Sequence, residues 1–155
     1  MRNPFYIKHI TRLVDVFVEI DTVVDEIECT NGSIEHLQLR ELSSRLHELI
    51  PLVDTVPLPA SAKQAARNVG DFFYLLQDLA DKTLEESGDV SMPTVWEVRK
   101  YSDNSYDTEV ILDSDALKNI YVYREKARET LRKTANTYGQ SCEKQFSTHS
   151  EDFRI

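Results

Sequence analysis

The second amphipathic segment of the sequence contains the side chains best suited to chemistry. His36, Arg40, Ser43 and His47 recur at spacings of four, three and four residues. On an α-helix these spacings place the four side chains within about 60° of one another. They therefore share one stripe, which lies beside the leucine seam of the same segment.

The eight residues RELSSRLH, from Arg40 to His47, fit the pattern R-x(4–6)-H and resemble the motif of the HEPN family, helical proteins that include metal-independent ribonucleases. The resemblance implies that His47 is a general acid or base and that Arg40 stabilises phosphate charge. It also implies a composite site across a dimer. The alternative is a solvated or ion-paired helix flank, which we prefer because this pairing is common by chance on exposed helices.

A basic stripe on the last helical segment is a second candidate site. Arg124, Arg128 and Arg132 are spaced at i, i+4 and i+8. Such a stripe could follow a phosphate backbone, so a nucleic-acid-binding subunit is a further alternative. Glu125 and Glu129, however, are placed to form ion pairs with arginines of the same helix. We prefer pairing within the protein, because a net charge of −9 opposes attraction to nucleic acid.

Metal and cofactor motifs are incomplete in this sequence. Segment 103–109 has oxygen donors at alternating positions, as a calcium loop does, but Thr108 and Ser114 stand where such a loop needs Gly and Glu. Cys29 and Cys142 are isolated and lack the spacing of a zinc site. We therefore expect neither a metal nor a cofactor, and we expect that the protein is not an enzyme.

The composition indicates one soluble domain. The chain has 155 residues, 41% of them hydrophobic and 29% charged, which suffices for a real core. Only 4 Gly and 5 Pro argue against a turn-rich β fold. No apolar run approaches the roughly 18 residues of a membrane span, and the N-terminus lacks a secretory signal. We expect a cytoplasmic protein that does not contact membranes.

The charged residues are distributed unevenly. Residues 15–28 contain six acidic side chains and no basic one, whereas residues 116–139 contain six basic and two acidic side chains. The simplest arrangement has these two segments face each other inside one protein. We take this pairing as our first prediction about tertiary contacts.

The periodicity predicts a mainly α protein, an up-down bundle of four helices in which short links join the first three. The first helix follows Asn3-Pro4 and ends at Asn31-Gly32. The second starts at Ser33 and ends at Pro57–Pro59, with a break near Pro51, and the third starts at Ala62. The fourth follows Asp113-Ser114-Asp115 and reaches Tyr138, or Phe146 if it passes Gly139. We assign residues 1–146 to this domain and residues 147–155 to a polar flexible tail.

Residues 90–113 differ from the helices in being rich in β-branched and aromatic side chains. TVWEVRKY and YDTEVIL, separated by turn chemistry, predict a small β-hairpin between the third and fourth helices. A short helix from Thr94 is the alternative. Trp96, the single tryptophan, is predicted to be a core residue.

The first helix is apolar around an unusually large part of its circumference. Once Leu13, Phe17, Ile20 and Val24 fill the core seam, four valines still lie outside it. A helix of this kind is buried by more than two neighbours or lies in a subunit interface. We favour the interface, and thus a possible homo-oligomer through this helix. The predicted interface residues are Val14, Val16, Val18 and Val23.

These observations favour a non-enzymatic protein–protein interaction module: an adaptor, an inhibitor or antitoxin-like protein, or a subunit of a complex. Its apolar surface beyond the core seam would be buried on a protein partner or a second copy. An acidic chain of this size could also mimic nucleic acid and block a basic cleft, as some phage-encoded inhibitors and toxin-neutralising proteins do. A role related to phage or bacterial defence follows from that analogy, and nucleic acid itself is an unlikely ligand.

Overall fold

The computed structural model describes residues 4–86 and 109–138, and they form four helices and two short strands. The mainly α four-helix fold is therefore confirmed. The elements in chain order are α1 (Pro4–Cys29), β1 (Ser33–Glu35), α2 (His36–Thr55), a 3₁₀ turn (Ala60–Ala62), α3 (Lys63–Glu86), β2 (Glu109–Ile111) and α4 (Ser114–Tyr138).

Neighbouring helices run antiparallel, as the order of their contacts shows. Along α1 and α2, Glu26 accepts a hydrogen bond from Gln38, whereas the earlier residue Glu19 contacts the later residue Arg45. The same reversal holds at the other three seams. Their cross-helix contacts are Ser43–Asp81 and Asp54–Tyr74 for α2 and α3, Asn68–Thr130 and the groove shared by Leu79 and Ile120 for α3 and α4, and Asp21–Arg128 and Glu28–Arg124 for α1 and α4. The bundle is thus up-down, as the short links predicted.

The core is centred on three phenylalanines that join diagonally opposite helices. The Phe17 ring of α1 lies 5.7 Å from the Phe72 ring of α3, and Phe73 lies 5.6 Å from Phe72, all three being fully buried. Because α1 contacts α3 as well as α2 and α4, its wide apolar arc is largely used within the chain. The apolar residues that recur at helical spacing along α4 are also buried: Leu117, Ile120, Ala127, Leu131 and Ala135.

The turn after α1 ends that helix and begins the sheet. Asn31 and Gly32 have positive φ angles of 57° and 91°, as the Asn-Gly stop signal predicted. The Gly32 amide donates to the Ile27 carbonyl at 2.8 Å and thereby satisfies a carbonyl of the last helical turn. A Cβ on Gly32 would lie 3.0 Å from Leu117 Cδ1, so both the backbone angle and the space favour glycine.

The two strands form an antiparallel ribbon that links distant parts of the chain. Ser33 pairs with Ile111 and Glu35 pairs with Glu109. The prediction that the second helix starts at Ser33 was therefore wrong, since Ser33–Glu35 is a strand and α2 begins at His36. The predicted break near Pro51 was also wrong, because α2 continues through Pro51 to Thr55.

Several predictions concern residues outside the described ranges. The first arm of the predicted hairpin, Trp96, Cys142, the extension of the last helix to Phe146 and the tail 147–155 all lie there. In the second arm, Glu109–Ile111 is a strand, and its partner among the described residues is β1 rather than a neighbouring segment.

Candidate functional site

The stripe with the predicted catalytic residues lies at the exposed seam between α2 and α3. The Asp81 carboxylate of α3 links two of its members. Ser43 Oγ donates to Asp81 Oδ1, and His47 Nε2 lies 3.0 Å from Asp81 Oδ2. The amide Nε2 of Gln77, one turn earlier on α3, lies 2.8 Å from His47 Nδ1. The structure thus joins Ser43 and His47 in one polar cluster that holds α2 against α3.

Both ring nitrogens of His47 have partners in this cluster. An amide NH₂ group can only donate, so His47 Nδ1 accepts the hydrogen bond from Gln77. The proton of the neutral ring then lies on Nε2 and is donated to Asp81. Proton transfer to or from a substrate would require one of these bonds to break. Arg40 is partly buried on the same helix, about 10 Å from His47 along the helix axis.

The basic stripe of α4 faces the acidic α1 helix, as the charge distribution predicted. Arg128 Nη2 donates to Asp21 Oδ2 at 2.8 Å, and Arg124 Nη2 donates to Glu28 Oε1 at 3.0 Å. Asp21 is fully buried, and only 6% of Arg124 is exposed. These two arginines therefore point into the bundle, whereas Arg132 is exposed. A continuous basic surface along all three arginines does not exist on this helix.

The buried guanidinium of Arg124 uses only part of its hydrogen-bonding capacity. Its Nε lies 3.7 Å from Asp21 Oδ1, an ion-pair distance, and neither Nε nor Nη1 has a hydrogen-bond partner among residues 4–86 and 109–138. The guanidinium also stacks over the Tyr121 ring at 5.1 Å. Burial, and then the charge of Glu28, raise the pKa of Tyr121 above its ordinary value, and Arg124 partly opposes this. Asp21 and Glu28 of α1 are thus the carboxylates that pair with the buried Arg124 in the described structure.

The four valines of the predicted interface are located on different sides of α1. Val14 is fully buried in the chain's own core. Val16, Val18 and Val23 are partly buried and pack against that core. Val14 is therefore not available to a partner in the folded chain, because its neighbours already cover it. An interface through the other three valines stays a prediction.

A shallow apolar cleft lies between α1 and the last turns of α2. It is lined by Arg12, Leu13 and Val16 of α1, by Leu52 and Val53 of α2, and by Val56 just after α2. Leu52 is 42% exposed in its wall. Further along, Arg45 of α2 pairs with Glu19 of α1, Nε to Oε2 at 2.5 Å, and also with Glu48. These hydrogen bonds to two carboxylates raise the pKa of Arg45.

Exposed charges of opposite sign follow one another along α1 beside this cleft. Lys8 and Arg12 come first, and Asp15 and Glu19 follow at the same helical spacing. We define the α1–α2 face as Arg12, Asp15, Val16, Leu52 and Val56. It combines an apolar centre with charged edges, the usual composition of a protein-binding surface.

A groove of about 490 Å³ lies between α3, α4 and β2. Leu79 and Ile120 form part of its floor, and Lys82 and Asp113 lie on its rim. Ile111 at its edge is 76% exposed. We assign no ligand to this groove.

Within residues 4–86 and 109–138, no three His, Cys, Asp or Glu side chains are arranged to hold a metal ion. In the same part of the chain, none of the helices has both the length and the apolar character needed to cross a bilayer. The chain matches no protein-family model, and no curated protein or solved structure is significantly similar to it.

Sequence reasoning missed the buried charge cluster of α1 and α4. A signal for it was present: in the apolar stripe of α4, six residues separate Ile120 from Ala127, and Arg124 lies at the core position between them. On α1, Asp21 lies four residues after Phe17 and three before Val24, both core positions. Two opposite charges on facing apolar stripes would have predicted a buried ion pair.

Proposed function

We propose that this chain is a non-enzymatic protein–protein interaction module that binds through the α1–α2 face. The observation that supports this is the apolar cleft between the two helices, with Leu52 42% exposed at its edge. An exposed leucine beside partly exposed valines loses its contact with water when a partner covers it, and this favours association. The charged side chains around the cleft would set the orientation of the partner.

The two alternatives have less support. A ribonuclease using Arg40 and His47 needs a free ring nitrogen, and both nitrogens of His47 are engaged. A nucleic-acid-binding surface on α4 would have to use Arg124 and Arg128, which pair with α1. Unchanged RNA cleavage after His47→Ala and Arg40→Ala, or no cleavage at all, would exclude the first alternative. Failure to bind RNA at low salt would exclude the second.

The proposal is tested by capturing a partner from native cells and then measuring its binding with purified proteins. Leu52→Gln should weaken the measured affinity at least tenfold, because the apolar centre of the face becomes polar. Leu37→Gln is the matched control, since Leu37 lies at the other end of the same helix and is 39% exposed. If both variants bind the partner as the wild type does, the α1–α2 face is not the binding surface.

A further inference from the structure

The exposed charges of α1 change sign once along the helix. Lys8 and Arg12 are basic, Asp15 and Glu19 are acidic, and the change falls between residues 12 and 15. If a second copy of this helix packs antiparallel about a two-fold axis at that point, Arg12 of each copy faces Asp15 of the other. Lys8 then lies opposite Glu19, whose carboxylate already accepts two hydrogen bonds from Arg45 of its own chain, so the Arg12–Asp15 pairs supply the complementary charge. The stripe is therefore complementary to itself, as an isologous dimer requires.

The apolar part of the face lies at the same level of the bundle. Arg12, Val16 and Leu52 line one cleft, so Leu52 lies beside the point where the charges change sign. A two-fold axis there would bring Leu52 of one copy against Leu52 of the other. The charged pairs would then surround an apolar contact. The same two-fold axis would therefore place opposite charges together and bury Leu52.

We propose that the occupant of the α1–α2 face is a second copy of this chain, packed with α1 antiparallel to α1 about an axis between Arg12 and Asp15. This inference rests on the proposed function, because it names the partner of the same surface. The charges fix the register and the antiparallel direction, since a parallel pairing in register would place like charges opposite each other. Leu52 and Val16 supply the apolar area that becomes buried.

Charge reversal tests this arrangement, with mass measured by sedimentation equilibrium over a range of concentrations. Wild type should be a dimer. Arg12→Glu and Asp15→Arg should each weaken the dimer at least tenfold, because each turns two attractive pairs into two repulsive ones. The double variant Arg12→Glu/Asp15→Arg should dimerise again. An equimolar mixture of the two single variants should form a heterodimer, since each then faces the opposite charge.

Lys133→Glu is the control for a general effect of charge, because Lys133 is exposed on α4 and pairs only within that helix in the described structure, with Glu129. It should dimerise as wild type does, and circular dichroism should show all variants folded. A wild-type monomer at all concentrations, or a failure of the two reversals to rescue each other, would overturn the proposal. If the wild type is a monomer while Leu52→Gln abolishes binding of another protein, the self-association is wrong and the interaction module stands.

Discussion

The α1–α4 and α2–α3 seams use similar side chains in opposite environments. Each seam joins two antiparallel helices through an aspartate that bridges two partners, Asp21 in the first and Asp81 in the second. Asp21 is fully buried, whereas the Asp81 side chain is 43% exposed. Water can replace the partners of Asp81 but not those of Asp21. Burial, rather than residue type, therefore decides how much stability each cluster contributes.

The largest expected effect comes from removing the buried carboxylate. Asp21→Ala should lower the free energy of unfolding by about 3–5 kcal/mol, because it removes the buried carboxylate that pairs with both Arg124 and Arg128 and leaves Arg124 only its ion pair with the half-exposed Glu28 among the described residues. Urea denaturation followed by circular dichroism measures this loss. Glu125→Gln is the control, since it removes an exposed partner of Arg128 and should cost less than about 1 kcal/mol. Equal losses in the two variants would contradict the contrast between the seams.

Replacing both buried charges should restore most of that loss. In Asp21→Leu/Arg124→Leu no unpaired charge remains at the centre of the seam, and Arg128 keeps its bond to Glu125. We expect a stability within about 2 kcal/mol of wild type, because apolar pairs commonly replace buried ion pairs without loss. The same denaturation experiment measures it. A double variant as unstable as Asp21→Ala would show that the cluster contributes more than charge compensation.

The α2–α3 seam should tolerate a methyl group at Gly70. A Cβ on Gly70 would lie 3.6 Å from Asp54 Oδ1 and 3.8 Å from Val53 Cγ1, which are ordinary contact distances. Gly70→Ala should therefore raise the free energy of unfolding by about 0.5–1 kcal/mol, the usual gain in helix propensity. Thermal denaturation measures the change. A lower midpoint would mean that the two helices cannot accommodate even a methyl group.

The polar cluster of Ser43, His47 and Asp81 should affect the free energy of unfolding less than the Gly70→Ala substitution does. His47→Ala removes the bonds to Asp81 and Gln77, but the His47 side chain is 58% exposed and water can replace it. We expect a loss below about 1 kcal/mol, as for other exposed ion pairs. A double-mutant cycle with Asp81→Ala measures the coupling between the two side chains. If the coupling energy between His47 and Asp81 equals the loss of stability in Asp21→Ala, burial does not decide how much each cluster contributes.

The smallest effect concerns one tyrosine in each seam. The hydrogen bond to Asp54 raises the pKa of Tyr74 above 10.0, and burial raises that of Tyr121. Since the folded state holds each phenol proton more tightly than the unfolded state, this stabilisation is present below pH 10 and is lost as the pH rises through the folded pKa. Asp54→Asn should return the pKa of Tyr74 towards 10.0 and leave Tyr121 unchanged. Titration of phenolate absorbance in Tyr74→Phe and Tyr121→Phe backgrounds assigns each step.

The helices were predictable because local signals agree with the tertiary structure. Pro4 and Asn31-Gly32 bound α1 in the sequence and in the structure alike. The 3-4 spacing of apolar residues located the buried stripes of α1 and α4, and the opposite charges of these helices predicted their contact. The helix bounds and the apolar spacing depend on residues within a few turns of one another, and the charge of each segment can be counted without knowing the fold.

The strand β1 and the buried arginine were not predictable in the same way. Ser33–Glu35 forms a strand because its partner arrives from residues 109–111, far along the chain. Arg124 is buried because Asp21 faces it from another helix, and Val14 is covered for the same kind of reason. The predicted catalytic pair illustrates a further limit: the spacing of Arg40 and His47 was visible, whereas the contacts of His47 with α3 depend on packing.

The ribbon of β1 and β2 also constrains the order in which the protein folds. Pairing Ser33 with Ile111 closes a loop of 78 residues, and in a flexible chain closing such a loop costs roughly 4 kcal/mol of entropy. Three residue pairs contribute only about 1 kcal/mol per hydrogen bond, so the ribbon cannot meet this cost alone. We expect the ribbon to form only after α4 has docked against α1 and α3, because that docking brings β1 and β2 together. The amide hydrogens of Ile34 and Leu112 should thus be among the last to gain protection from exchange during refolding.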